Sequence, residues 1–117
     1  MKCVEYNNIK FYIGQNAQEN FDLLDSSKMI NSEYIWFHLN SFPSSYVIMY
    51  STIEEIKNQS ENNIDDFLIF GANLCKENSK YKYLKNLKVI YTSLNQLTKT
   101  DKIGEVIISG KKNILSI

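Results

Sequence analysis

The stretch from Tyr34 to Tyr50 constrains the fold most, because it holds the chain's only Trp, only His and only Pro inside two apolar runs. It reads as two short strands joined by a polar loop that Pro43 stiffens. Side chains alternate along a strand, so Ile35, Phe37 and Leu39 share one face while Tyr34, Trp36 and His38 share the other. The first face is core. The second has two readings. Its flat apolar bodies with polar tips suit a binding surface, or they cover the back of a sheet beneath a helix.

At 117 residues the chain is expected to form one domain, residues 1–117, able to bury roughly two thirds of its unfolded surface without disulfides or metal. A hydrophobic fraction of 44%, with one Trp, eight Tyr and six Phe, supplies a packed core and argues against disorder. No apolar run approaches about 18 residues, and the first residues lack the basic-then-apolar layout of a secretion signal. A soluble, cytoplasmic protein with no membrane segment is therefore expected. Cys3 and Cys75 are expected as two buried thiols, although the sequence leaves a disulfide open.

Thirteen Lys balance thirteen acidic residues, but not evenly along the chain. Residues 1–70 carry four Lys and ten acids, and residues 71–117 carry nine Lys and three acids, so the halves stand near −6 and +6. Such a chain can present one basic surface despite its neutral total. It has no Arg, so any phosphate contact must use Lys as a point charge without the bidentate fork.

Lys2 to Tyr6 and Ile9 to Ile13 read as a hairpin across Asn7 and Asn8, since Asn tolerates the positive φ of a tight turn. Lys10 and Tyr12 face outward on its second strand. The amide-rich segment from Gly14 to Leu24 leads into a short helix ending near Met29, with Asn16 or Asn20 as its cap or as a ligand contact. Ser51 to Glu61 reads as a polar connector with one helical turn around Ile53 to Ile56. From about Asn63 to Ser79, Ile64, Phe67, Leu68, Gly71, Leu74 and Cys75 repeat at helical spacing, and this is the best helix in the chain. Asn62 or Asn63 caps it, and Gly71 would let it approach a strand closely.

Asn78 to Asn86 interleaves Lys80, Lys82 and Lys85 with two Tyr, a mixture that holds a phosphate backbone while a ring stacks on a base, or forms a solvated helix end. Leu87 to Ser93 reads as a strand with Val89 and Tyr91 on one face. Leu94 to Lys102 follows, carrying Lys99 and Lys102 and broken by Gly104. Glu105 to Ser109 and Asn113 to Ile117 read as a final hairpin across Gly110-Lys111-Lys112.

Catalysis is poorly provisioned. The chain has a single His, no metal-site spacing of Cys or His, no glycine-rich phosphate loop and no nucleophile elbow. No cofactor is implied. Ser45, His38 and Asp22 would be the members of any hydrolytic site.

Three blocks carry a resemblance: Tyr12-Ile-Gly-Gln-Asn-Ala-Gln-Glu-Asn-Phe-Asp-Leu23, Tyr34-Ile-Trp-Phe-His38 and Pro43-Ser-Ser-Tyr-Val-Ile48. In this order, and continuing through Ala72 to Ser79, Val89 to Thr92, Lys99 and Ile103 to Val106, the chain resembles the NFACT-R domain, the RNA-binding domain of the NFACT proteins of ribosome-associated quality control. The resemblance implies an α/β domain that binds tRNA or ribosome-associated RNA without catalysing a reaction. Three positions depart from the family's pattern. Gln15 replaces a cation, Tyr34 replaces an acid, and Ser44-Ser45-Tyr46 stands where Gly-Ser-His or a close variant is usual.

The expected fold is α+β, a mostly antiparallel sheet of about six to seven strands with the Asn63 to Ser79 helix packed on one face. The expected function is a stand-alone RNA-binding module. Lys10, Tyr12, Trp36 and His38 would stack and orient, Asn16, Asn20 and Ser45 would hydrogen-bond, and Lys82, Lys85 and Lys99 would meet phosphates. The ribosome and a protein partner are further candidates. The alternatives are an adaptor docking a protein on the aromatic sheet face and, behind it, a DNA-binding module or a hydrolase.

Overall fold

The computed structural model describes residues 1–59 and 62–117. Strands β1 (Lys2–Tyr6) and β2 (Ile9–Ile13) form the expected hairpin, with Asn7 and Asn8 at φ 46° and 67°. Helix α1 (Ala17–Ile30) follows, longer than its polar sequence suggests. Asn16 caps it by accepting the Glu19 N–H at 2.9 Å, and the Glu19 carboxylate in turn accepts the Gln15 N–H at 3.1 Å.

Strands β3 (Ile35–Leu39) and β4 (Val47–Met49) pair as the central antiparallel unit. Thr52 caps α2 (Ile53–Lys57), the single turn expected in the connector. The end of that connector, residues 60 and 61, lies outside the described residues. Asn63 then caps α3 (Ile64–Glu77), accepting the Asp65 N–H at 3.0 Å. Next come β5 (Lys88–Ser93), a 3₁₀ turn (Leu94–Gln96), β6 (Leu97–Lys99), β7 (Val106–Ile108) and β8 (Asn113–Ser116).

The main sheet has six antiparallel strands in the order β1-β2-β4-β3-β5-β8. The fold is α+β as expected, but both faces of this sheet are covered. On one face, Phe67, Leu68, Ala72, Leu74 and Cys75 of α3 bury against Phe11, Phe37, Val47, Met49 and Val89. Gly71 makes this contact close, since a Cβ there would sit 2.4 Å from Cζ of Phe37. On the other face, Leu23 and Leu24 of α1 join Leu94 and Leu97 over Trp36, Tyr46, Ile48 and Ile90. One helix on one face therefore describes only half of the packing.

Two further expectations are corrected here. The carboxy-terminal hairpin does not form. β7 pairs with β6 as a separate two-stranded sheet, and β8 crosses back to pair with β5. Each pairing puts its apolar residues where they bury best: Val106 and Ile108 beside Leu97, and Leu115 against the α3 core. The two thiols are free, but only Cys75 is buried, because Cys3 lies on the exposed edge strand β1. Burial pushes the Cys75 thiol well above the ordinary cysteine range. Among the described residues, no helix is long and apolar enough to cross a membrane.

Candidate nucleic-acid interface

A cleft of about 860 Å³ opens where the amino-terminal end of α1, the β3–β4 loop, the segment after α3 and the β6–β7 loop meet. Its floor includes Trp36, His38 and Ile90, and Lys80 and Lys102 are among the charged residues that line it, with Glu105. The topology explains the convergence. His38 lies opposite Ile90 on the neighbouring strand, on the face away from α3, while the β3–β4 loop, β5 and α1 all reach the same end of the sheet.

The cleft collects Asn16, Asn20, Trp36, His38 and Ser45 of the expected site. Their roles are not all those expected. Trp36 is 2% exposed, stacked parallel to the His38 ring at 5.3 Å and edge-on to Tyr46 at 5.4 Å. It cannot offer a face to a base, because α1 and the small sheet close over the row that alternation assigned to it. Its Nε1 is buried without a hydrogen-bond partner, a cost of about 1–3 kcal/mol unless something entering the cleft accepts from it.

Asn20 is also buried, and its Oδ1 accepts the Tyr46 N–H at 3.1 Å. Gly14 is held against the same amide: a Cβ at 14 would lie 2.2 Å from Oδ1 of Asn20. Asn16 has its oxygen engaged as the helix cap. Both amide oxygens thus brace the cleft wall, and of the two readings offered for Asn16, cap or ligand contact, the cap is the one observed. Ser45 is half-buried at the rim.

His38 is half-buried, and Nδ1 donates to the Leu39 carbonyl at 2.8 Å. A carbonyl only accepts, so Nδ1 carries the proton. Burial pulls this imidazole below the ordinary histidine range, against the opposing pull of the Leu39 and Ser44 carbonyls. Among the described residues no hydrogen bond joins His38 to Ser45, and Asp22 accepts from Gln18 on the exposed side of α1. A Ser-His-Asp relay is not assembled.

The remaining expected residues lie elsewhere. Tyr12 packs on Tyr50 at 4.5 Å, which packs on Tyr34 at 4.7 Å, in an aromatic row outside the cleft. Lys10 is exposed on β2 opposite Glu5. Lys99 is bound to Asp25 at 2.7 Å and lies over the Phe21 ring, so it is withdrawn from the cleft lysines. Lys82 and Lys85 are exposed just past the segment that lines the cleft.

Sequence reasoning names Lys80 only within the Lys/Tyr run and passes over Lys102 and Tyr46 as site residues. Lys80 belongs to the Lys/Tyr run beyond the negative end of α3, and it lines the cleft. Tyr46, where the resemblance expects an imidazole, is 1% exposed, and its phenol donates to the Gly104 carbonyl at 2.5 Å. Burial, then the charge of Glu105, raises that phenol far above the ordinary tyrosine range. No residue signal short of the fold marks such a tie across 58 positions.

A family model described as the NFACT protein RNA binding domain matches residues 2–116. No curated protein matches the chain. Eight solved chains do. One is the C-terminal structure of the fibronectin/fibrinogen-binding protein from Streptococcus suis, similar at a TM-score of 0.74 and 22% identity over 93% of this chain. The present chain spans 40% of the length of that one, and at this identity the likeness shows the fold.

Proposed function

The chain belongs to the NFACT protein RNA binding domain family, and on that premise we propose that it is a non-catalytic module that takes RNA into the cleft floored by His38. The RNA is tRNA or ribosome-associated RNA, met in the cytoplasm during translation or its quality control. The observation that carries this reading is the cleft itself. It sets the half-buried His38 ring and hydrogen-bonding rim residues between Lys80 and Lys102, with Lys82 and Lys85 exposed beside it. Cations that neutralise phosphates around a polar-aromatic recess are the parts RNA recognition needs.

The adaptor reading loses Trp36, which lies beneath α1 and the small sheet, and is left with the half-buried row of Tyr12, Tyr50 and Tyr34. Binding of labelled tRNA, followed by fluorescence anisotropy at several salt concentrations, tests the proposal. Affinity is expected to fall steeply as salt rises. Absence of binding, or binding indifferent to salt, would overturn it, and crosslinking in cells with sequencing of the attached RNA would identify the species.

A further inference from the structure

We infer that Tyr83 is a stacking platform for an unpaired RNA base, held at the lip of the cleft. This rests on the cleft being the RNA interface. Tyr83 is 86% exposed, the one aromatic among the exposed large apolar side chains of the described residues. It is nevertheless presented by an ordered turn. The Leu84 N–H donates to the Tyr81 carbonyl at 2.9 Å, so Lys82 and Tyr83 occupy the two central positions.

That turn is anchored to the cleft. Ser79, Lys80 and Tyr81 line it, the Tyr81 ring stacks on Phe42 of the β3–β4 loop at 4.3 Å, and the Tyr81 N–H donates to Ser79 Oγ at 3.1 Å. One tyrosine fixes the turn and the other stands clear of it. Trp36 and Tyr81 already have aromatic partners. Among the described residues Tyr83 has no aromatic partner, and the Lys82 ammonium lies 5.3 Å from its ring centroid.

The surroundings select the partner. Lys80, Lys82 and Lys85 are exposed, and no acidic residue occurs between positions 78 and 87. Such a strip neutralises phosphates while the ring takes a base. A duplex has its base faces stacked internally, so the strip fits a single strand leaving or entering the cleft.

The test compares the wild-type chain with Tyr83→Ala and Tyr83→Phe, binding a single-stranded RNA oligomer and a hairpin duplex of equal length. Tyr83→Ala is expected to weaken single-strand binding by about tenfold, leaving duplex affinity and the salt dependence unchanged, and Tyr83→Phe is expected to bind as wild type. The inference is overturned if Tyr83→Ala binds the single strand normally, if it loses both ligands equally, or if Tyr83→Phe is as weak as Tyr83→Ala. Should the wild type bind no RNA, the reading of the cleft falls too, whereas a normal wild type beside a normal Tyr83→Ala removes only this inference. Equal thermal midpoints of the three proteins show that the fold is intact.

Discussion

The phenol of Tyr46 donates to the carbonyl of Gly104, tying the residue before β4 to the loop between β6 and β7. The same ring stands edge-on to both Trp36 and His38. One side chain therefore fixes the cleft floor and one of its walls. At a position where the resemblance leads to the expectation of an imidazole, this chain has a brace.

Tyr46→Phe keeps the ring and removes that tie. The variant is expected to lose about 1 kcal/mol of stability, read as a lower urea midpoint at unchanged slope. A midpoint equal to wild type would show that the phenol contributes nothing.

Gly71→Ala is expected to destabilise, although Ala is the better helix former by about 1 kcal/mol. The new methyl would meet three atoms of the Phe37 ring at 2.4 to 2.8 Å, and that ring is fully buried. Overpacking of this kind costs about 1–3 kcal/mol, so thermal unfolding should show a net loss. A gain would mean that the helix and sheet separate easily.

His38 makes stability depend on pH. Its folded pKa is lowered by burial, so below the unfolded value of about 6.5 the unfolded chain binds more protons than the folded one. The stabilisation is fully present above about pH 6.5 and is lost as pH falls toward the lower folded value. Because the chain has one His, the thermal midpoint should hold level from about pH 8 to 7 and fall toward about 5.5, and His38→Gln should flatten that fall. A wild-type midpoint level throughout this window would contradict the assignment.

The cleft lysines and Lys99 should behave differently toward RNA. Replacing Lys80 and Lys102 by Ala is expected to weaken binding and to lower the salt slope by about 0.7 for each phosphate that is no longer neutralised. Lys99→Ala should leave both unchanged, since Asp25 already holds that ammonium. Equal losses at all three positions would point to a diffuse electrostatic surface.

The helix α3 is legible in the sequence because its apolar residues recur with helical spacing and an Asn precedes them. Alternation also assigns Phe37 and Trp36 correctly to opposite faces. It cannot say what lies over each face. Leu23 and Leu24 cover Trp36 from an amide-rich helix whose apolar stripe is weak, so nothing local announces the cover.

The last strands mislead for a related reason. Two β-rich runs flanking Gly110 invite a hairpin, but β6 and the open edge of β5 compete for them, and the burial of Leu115 and Ile108 in different clusters decides the outcome. Within the cleft, residue type identifies His38 and Ser45 as candidates. The partner of Lys99 lies 74 positions away, a distance over which composition carries no information.

The strand order places the first strand at one border of the main sheet and β8 at the other. During synthesis β5 therefore keeps an uncovered row of backbone donors and acceptors until residues 113–116 leave the ribosome. Loss of that short strand would leave the six-residue β5 as the border in place of the four-residue β8, a longer edge for pairing with a neighbouring chain and a route to aggregation that no single buried side chain would reveal.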